Sequence, residues 1–492
     1  MNKTIRRASV FCLLMVLALI GRATYVQFYK GQALADDKLN RRNTIAEYAQ
    51  PLGDIIVAGS PVTGSERTKS GDLTYQRTYQ DGPLYAPVTG YASQVYGATQ
   101  LEGIYSKVLD GSDPRMQNPL DALTRQRAAG GDVLTTIDPT VQKAGYQALG
   151  HNEGAAVAMD PKTGRILGMV STPSYDPSRI AGSSSAAGDA WKQLSEDKSQ
   201  PMLNRALRQP LAPGSTFKLV VASAALENGL YPDIDTKTAS PNPYRMPGTT
   251  TDLRNESASA PCENASIRTA LAYSCNNVFG KMAVDLGQDK VRAMAEKFGF
   301  NDAELDVPVR AAASVYPKNM NPSSTALSGI GQFDVTATPM QMAMVSAAIA
   351  NDGVLASPHM VSKVTDSRGS TLQSYPDADP GSGSGGKRIL SSKSARQLYS
   401  AMLSVVSDGT GTNAKIPGME VGAKTGTAQH GVDNSKKPYA WFTSFAKDPK
   451  TGKEIAVAVV VQDSDAERSE VSGNGLAGPV ARAMMKAALG TP

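Results

Sequence analysis

At 492 residues the chain exceeds one compact domain, and two or three are expected. A hydrophobic content of 41% with 19% charged residues is ordinary for a globular protein and sufficient for a real core. The net charge of +5 comes without any basic run interleaved with aromatics, which speaks against nucleic acid as a partner and for a slightly basic solvated surface.

The N-terminus places Lys3, Arg6 and Arg7 before an apolar run from Ala8 to Ile20, which resumes after Gly21 and Arg22 and continues to Tyr29. Ala8 to Tyr29 is 22 residues. As a helix it spans roughly 33 Å, enough to cross a bilayer. Arg22 can snorkel, Tyr25, Phe28 and Tyr29 suit an interface belt, and the leading cations put the N-terminus in the cytoplasm. A cleaved signal peptide is the competing reading, but its best cleavage context, Ala33-Leu34-Ala35, begins 13 residues past Ile20, too far from the apolar run. The expectation is an uncleaved single-pass anchor with the bulk of the chain outside the cytoplasm. Cys12 lies in the anchor without a lipid-attachment context. Cys262 and Cys275 then form an even pair in an oxidising compartment, and a disulfide between them is expected.

Residues 30–130 are polar and turn-rich, with short apolar pieces such as "GDIIVAG" and no motif that carries chemistry. They read as a small mixed pedestal. From residue 131 the texture changes. "DVLTTIDPTVQKAGYQAL" predicts a strand, then a helix with Asp138 as cap and Pro139 at its first position. "AAVAMDPKTGRILGMVS" and "YAWFTSFAKDPKTGKEIAVAVVVQ" predict hairpins whose turns are Asp-Pro-Lys-Thr-Gly. Between them, "STFKLVVASAALENG" and "TPMQMAMVSAAIANDG" predict helices, the second with Thr338, Pro339 and Gln341 as cap, first position and capping box. "GLAGPVARAMMKAALG" predicts a last helix, and Ser/Gly-rich stretches at 182–188 and 380–386 predict surface loops. Strands at both ends of the region with helices between them imply an α+β domain around one sheet assembled from distant segments.

Lys-Thr-Gly occurs three times, at 162–164, 424–426 and 450–452. The first and third copies are turn chemistry. The middle copy, Lys424-Thr425-Gly426, sits in an extended segment that predicts the first of three successive strands, about 420–429, 438–446 and 454–462.

Ser215-Thr216-Phe217-Lys218 is predicted to open a helix, with serine and lysine on one face. A serine hydroxyl needs a base. Lysine serves only if burial or a nearby cation depresses its pKa. A helix N-terminus adds amides for an oxyanion. Ser274-Cys275-Asn276 lies between two helical stretches; its hydroxyl can relay a proton and its amide can orient a lysine or hold a substrate carbonyl. Each pattern alone is cheap. Ser195 and Lys198 repeat the first, while Ser240-Pro241-Asn242 and Ser472-Gly473-Asn474 repeat the second. The order carries the weight: the second serine follows the first by 59 residues and Lys424 follows by 150 more, each in the expected context.

With "NRALRQPLAPGSTFK", "SCNN", "GIGQFDVTATPMQMA" and "AKTGTAQ", the chain from about residue 132 onward resembles the transpeptidase domain of penicillin-binding proteins. The whole resembles a class B member of actinobacterial elongation or division type. The resemblance implies a five-stranded antiparallel sheet flanked by helices over 131–492, a pedestal of dimerisation-domain type over 30–130, and a tail and anchor over 1–29. It implies a peptidoglycan D,D-transpeptidase that β-lactams acylate and that needs no cofactor or metal. Ser215 would attack the D-Ala-D-Ala carbonyl of a stem peptide, with Lys218 as base. Ser274 would pass the proton to the leaving amine, and Asn276 would hold the substrate amide. Lys424 would supply positive charge, and Thr425 and Gly426 would keep the strand edge open. The amides of Ser215 and Thr427 would form the oxyanion hole. A membrane glycosyltransferase of the shape, elongation, division and sporulation (SEDS) family is the implied partner. Phe333 stands where many relatives have a second glycine.

Alternatives share the motifs. A serine β-lactamase would be shorter and soluble and would need a deacylating base; "STFK" resembles class D, which has an apolar residue in place of Asn276, and "AELDVP" fails the class A pattern. A D,D-carboxypeptidase would differ only in its acceptor. For a non-catalytic reading, a membrane-anchored penicillin sensor or divisome scaffold, a catalytically dead variant would still complement growth. His151, His359 and His430 show no ligand spacing, so a metal site or Ser-His-Asp enzyme is disfavoured. Trp441 and Phe442 are expected in the core, with His430 close past the Lys-Thr-Gly strand.

Overall fold

A computed structural model of the chain describes residues 3–31, 34, 41–68, 72–117, 128–375, 386–431 and 434–491. Helix Lys3–Tyr25 runs on as a π-helical turn, Val26–Lys30. The run of 28 residues has a mean hydropathy of 2.0 in its apolar window and buries none of that window, so it is long and apolar enough to span a bilayer once. Ala33 and Ala35 of the cleavage context lie outside the described residues.

Beyond it, Ile55–Val57 and Ser60–Pro61 form a tight hairpin, and Ile55–Val57 pairs in parallel with Val133–Thr135. Val133–Thr135 pairs on its other side with Val361–Thr365, which is followed by Thr371–Ser374. One sheet therefore mixes strands from the pedestal with a hairpin more than 200 residues later in the chain. In the pedestal, the buried Arg77 donates to Glu102 at 2.7 Å and lies 3.6 Å from Asp54. Pairing is what makes a buried guanidinium tolerable.

The main sheet has five strands in the order Glu420–Ala428, Tyr439–Lys447, Glu454–Asp463, Glu153–Met159 and Ile166–Thr172, all antiparallel. Side chains alternate faces along each strand. Ala440, Phe442 and Ala446 join Val141, Met484 and Met485 of helices Pro139–Leu149 and Gly478–Leu489. Trp441 and Phe445 face the larger core with residues of helices Lys218–Glu227, Pro339–Ala350 and Ser392–Ser407. Glu420–Ala428, the Lys-Thr-Gly strand, is an edge.

Both Asp-Pro-Lys-Thr-Gly segments are hairpin turns. Asp160 accepts from the Lys162 and Thr163 amides, Asp448 accepts from Lys450, and the closing glycines take φ of +81° and +72°. Three local expectations are corrected. Gln341 does not complete a capping box; Thr338 caps its amide at 3.1 Å, but its own side chain donates to Phe298 O at 2.7 Å, because a buried amide takes the acceptor within reach. The stretch 182–188 is a loop only to Ser184, whose hydroxyl accepts from Ala187 and starts helix Ser185–Glu196. Ser215 does not open an α-helix: it sits in a 3-10 turn, Gly214–Phe217, and the α-helix begins at Lys218. Residues 380–385 lie outside the described residues.

Candidate active site

Three segments meet beside the Lys-Thr-Gly strand. Ser215 and Lys218 come from the 3-10 turn and the start of its helix, where positions three apart eclipse each other. Ser274 and Asn276 come from the junction between helices Ile267–Ala272 and Asn276–Leu286. Lys424, Thr425, Gly426 and Thr427 lie on the edge strand. Ser215, Ser274 and Thr425 are buried but for a few percent, and Lys218 and Lys424 are fully buried.

The Ser274 hydroxyl lies between two amines, 3.2 Å from Lys218 Nζ and 3.0 Å from Lys424 Nζ. Lys218 Nζ donates to Ser274 O and to Asn276 Oδ1, each at 2.7 Å. Lys424 Nζ donates to Thr425 O at 2.9 Å. A neutral amine has two hydrogens and one lone pair. The two oxygens use Lys218's hydrogens, which leaves its lone pair for a hydroxyl proton. Among the described residues no hydrogen bond links Lys218 to Ser215. Such contacts often close only when substrate is bound.

The electrostatics favour that neutral form. Burial pushes Lys218 well down, the charge on Lys424 pushes it further, and Glu256 pulls the other way. Burial pushes Lys424 down to about 7, again against Glu256. Two ammonium groups sharing one hydroxyl repel, so the cluster accommodates one charge more readily than two.

Cys275, between Ser274 and Asn276, forms a disulfide with Cys262, with Cα atoms 5.5 Å apart. Ser274 has a φ of +58°, in the left-handed region. Asn255, absent from the sequence reading, holds the junction. Its Oδ1 accepts from the Asn276 amide at 2.6 Å and the Asn277 amide at 3.3 Å, and its Nδ2 donates to Asn277 Oδ1 at 3.0 Å. Asn276 Nδ2 donates to Arg254 O at 2.9 Å. The Thr425 hydroxyl bonds to that of Thr410 at 2.7 Å, and the Thr410 amide donates to Ala272 O at 3.0 Å. Thr410 thus ties the helix before Ser274 to the Lys-Thr-Gly strand.

Residues 154–486 match the family model for the penicillin binding protein transpeptidase domain, and residues 52–133 match that for the penicillin binding protein A dimerisation domain. The chain belongs to the penicillin-binding protein transpeptidase family. It is 37% identical to the peptidoglycan D,D-transpeptidase PbpA of Mycolicibacterium smegmatis over 99% of each chain. It is 34% identical to PbpA of Mycobacterium tuberculosis, also over 99% of each. Penicillin-binding protein A of M. tuberculosis, solved as its ceftriaxone acyl-enzyme, matches with a TM-score of 0.82 and 34% identity, over 90% of this chain and 100% of that one. The D,D-transpeptidase domain of an Eggerthella lenta peptidoglycan glycosyltransferase matches at 0.74 with 30% identity, over 90% and 98%.

The repeated motifs of this penicillin-binding protein lie elsewhere. Ser195 and Lys198 are exposed, and the Ser195 hydroxyl donates to Lys192 O. Asn242 receives a bond from Asn255 at 3.0 Å, so its segment braces the Ser274 junction. Trp441 and Phe442 are fully buried. His430 stacks on Tyr439 at 3.8 Å and contacts Lys437 O, His359 is buried beside Ser357 O, and His151 is exposed.

Proposed function

We propose that this chain is a peptidoglycan D,D-transpeptidase that works through a serine acyl-enzyme and is blocked covalently by β-lactams. One observation carries the reading: the Ser274 hydroxyl stands within hydrogen-bond distance of two buried amines, Lys218 and Lys424. Neutral Lys218 takes the Ser215 proton as Ser215 Oγ bonds to the carbonyl carbon of the penultimate D-alanine of a stem peptide. The oxyanion that forms is held by the Ser215 and Thr427 amides. The C–N bond to the last D-alanine then breaks, and Ser274 delivers a proton to the leaving amine while Lys218 resupplies it. The amine of a second stem peptide attacks the ester, Ser215 regains its proton, and the cross-link is made. Asn276 holds the substrate amide, Lys424 faces its carboxylate, and Thr425 and Gly426 leave the strand edge open.

The proposed organisation is a tail and anchor over 1–29, a pedestal over 30–130 and the catalytic domain over 131–492. Lys3, Arg6 and Arg7 support a cytoplasmic N-terminus and an extracytoplasmic catalytic domain. A membrane glycosyltransferase of the shape, elongation, division and sporulation family is the proposed partner, resting on the family resemblance. The test is labelling with fluorescent penicillin followed by peptide mapping. The expected adduct is on Ser215; an adduct elsewhere, or none on the folded chain, overturns the assignment.

A further inference from the structure

A cavity of about 660 Å³ lies between the segment 412–417 and the last helix, Gly478–Leu489, away from the cluster of amines. Three cations line it: Lys415 from the segment, and Arg482 and Lys486 from the helix. Arg482 and Lys486 are four apart and share a helix face, where like charges repel. No aspartate or glutamate lines the cavity. Among the described residues none of the three cations has an ion-pair partner, and the buried Arg482 Nε has no hydrogen-bond partner. Packed structures rarely leave a buried guanidinium nitrogen unused. Pro417, Pro479 and Ala483 supply apolar wall.

The cavity is wired to the candidate site. Asn413, on its rim, donates through Nδ2 to Asn474 O at 2.9 Å, and its backbone amide donates to Asn474 Oδ1 at 3.0 Å. Asn474 belongs to Ser472-Gly473-Asn474, one of the motif repeats with no catalytic use. Its neighbour Gly473 packs so closely that a Cβ there would meet Gly426 O at 2.8 Å. Thr412, also on the rim, is two residues from Thr410, whose hydroxyl bonds to Thr425.

We infer that this cavity is a second binding site, for the carboxylates of an uncross-linked peptidoglycan stem peptide, and that its occupancy steadies the Lys-Thr-Gly strand. The cations suit carboxylates, and the prolines and alanine suit the peptide's alkyl groups. A cavity of this volume fits a short peptide and exceeds a lone phosphate. The inference rests on the proposed function for the identity of the ligand.

The test uses the full chain in detergent micelles at low salt. The probe is a stem tripeptide, L-Ala-γ-D-Glu-diamino acid, which lacks the D-Ala-D-Ala that the reaction requires. Calorimetry is expected to show binding, weakened about tenfold or more when Lys415→Gln, Arg482→Gln and Lys486→Gln are combined. Unchanged Tm of that variant shows that it is folded. Saturating tripeptide is expected to raise the acylation rate with fluorescent penicillin about fivefold in the wild type and not in the variant. Absent binding, equal binding to both chains, or binding of pyrophosphate but not tripeptide overturns the site. Binding with an unchanged or lowered acylation rate overturns the coupling. Failure of penicillin to label the ligand-free chain is a separate result, which counts against the catalytic reading.

Discussion

Cys275 is bonded to Cys262, and it is the residue that separates Ser274 from Asn276. Ser274 carries a φ of +58°. That region costs a residue with a side chain about 1 kcal/mol or more, so the surroundings must hold it there. A covalent tie on the adjacent residue does so, and it closes a loop of 13 residues. Replacing both cysteines by serine is expected to lower stability by about 3 kcal/mol in the loop-entropy account. It is also expected to slow acylation per folded molecule, because Ser274 is freed to leave the left-handed region. Thermal unfolding alongside acylation kinetics separates the two effects. An unchanged rate per folded molecule would reduce the disulfide to a staple.

The charge on Lys424 helps push Lys218 down, so removing that charge lets Lys218 rise. In the wild type, acylation is expected to climb as Lys218 loses its proton and to fall as Lys424 loses its own, near pH 7. Lys424→Gln is expected to move the rising limb to higher pH, to abolish the falling limb, and to cut the maximal rate about a hundredfold. The pH profile of penicillin acylation checks all three. A rising limb that stays in place would show that Lys218 is not the group it reports.

The candidate residues were legible in the sequence as three short patterns in a recurring order, of which only Ser215 with Lys218 rests on spacing along a helix face. Ser215 with Lys218, Ser274 with Asn276, and Lys424 with Thr425 are each marked by short patterns, and the other two Lys-Thr-Gly copies are marked as turns by the Asp-Pro before them. The strands themselves were marked by apolar runs and turn residues, whereas their assembly into one five-stranded sheet was implied by the family resemblance. Partners that meet only through the fold were not legible. Asn255 lies 21 residues before Asn276 with no periodic signal, and Thr410 reaches Thr425 across a turn. The pairing of Val133–Thr135 with Val361–Thr365 depends on where a distant hairpin is delivered. The 3-10 geometry at Ser215 was hidden because the same residues suit either kind of helix.

Asn255 is expected to act as a positioning residue. It satisfies two amides at the start of the helix that carries Asn276 and returns a hydrogen bond to Asn277. Asn255→Ala leaves those donors unpaired, which costs about 1–3 kcal/mol. Asn276 then loses its fixed direction toward Lys218, and acylation is expected to slow about tenfold. Asn255→Asp keeps the acceptor and loses the donor, so it should recover part of the rate. Equal rates for all three chains, after correction for folded fraction, would leave Asn255 a purely structural residue.

Gly331 and Phe333 both take positive φ, +71° and +62°, but for different reasons. A Cβ on Gly331 would lie 2.0 Å from Gly214 O, in the residue before Ser215, and that atom is backbone and cannot swing aside. Gly331→Ala is therefore expected to cost about 3 kcal/mol or more and to abolish penicillin labelling by displacing the 3-10 turn. Phe333 is 46% exposed, and its strain lies in its own backbone. Phe333→Gly is expected to relieve that strain, raising stability by about 1 kcal/mol, and to leave labelling intact. Thermal unfolding and penicillin labelling of the two variants together separate close packing against the nucleophile turn from simple backbone strain. If Phe333→Gly instead loses labelling, the ring itself belongs to the rim of the site.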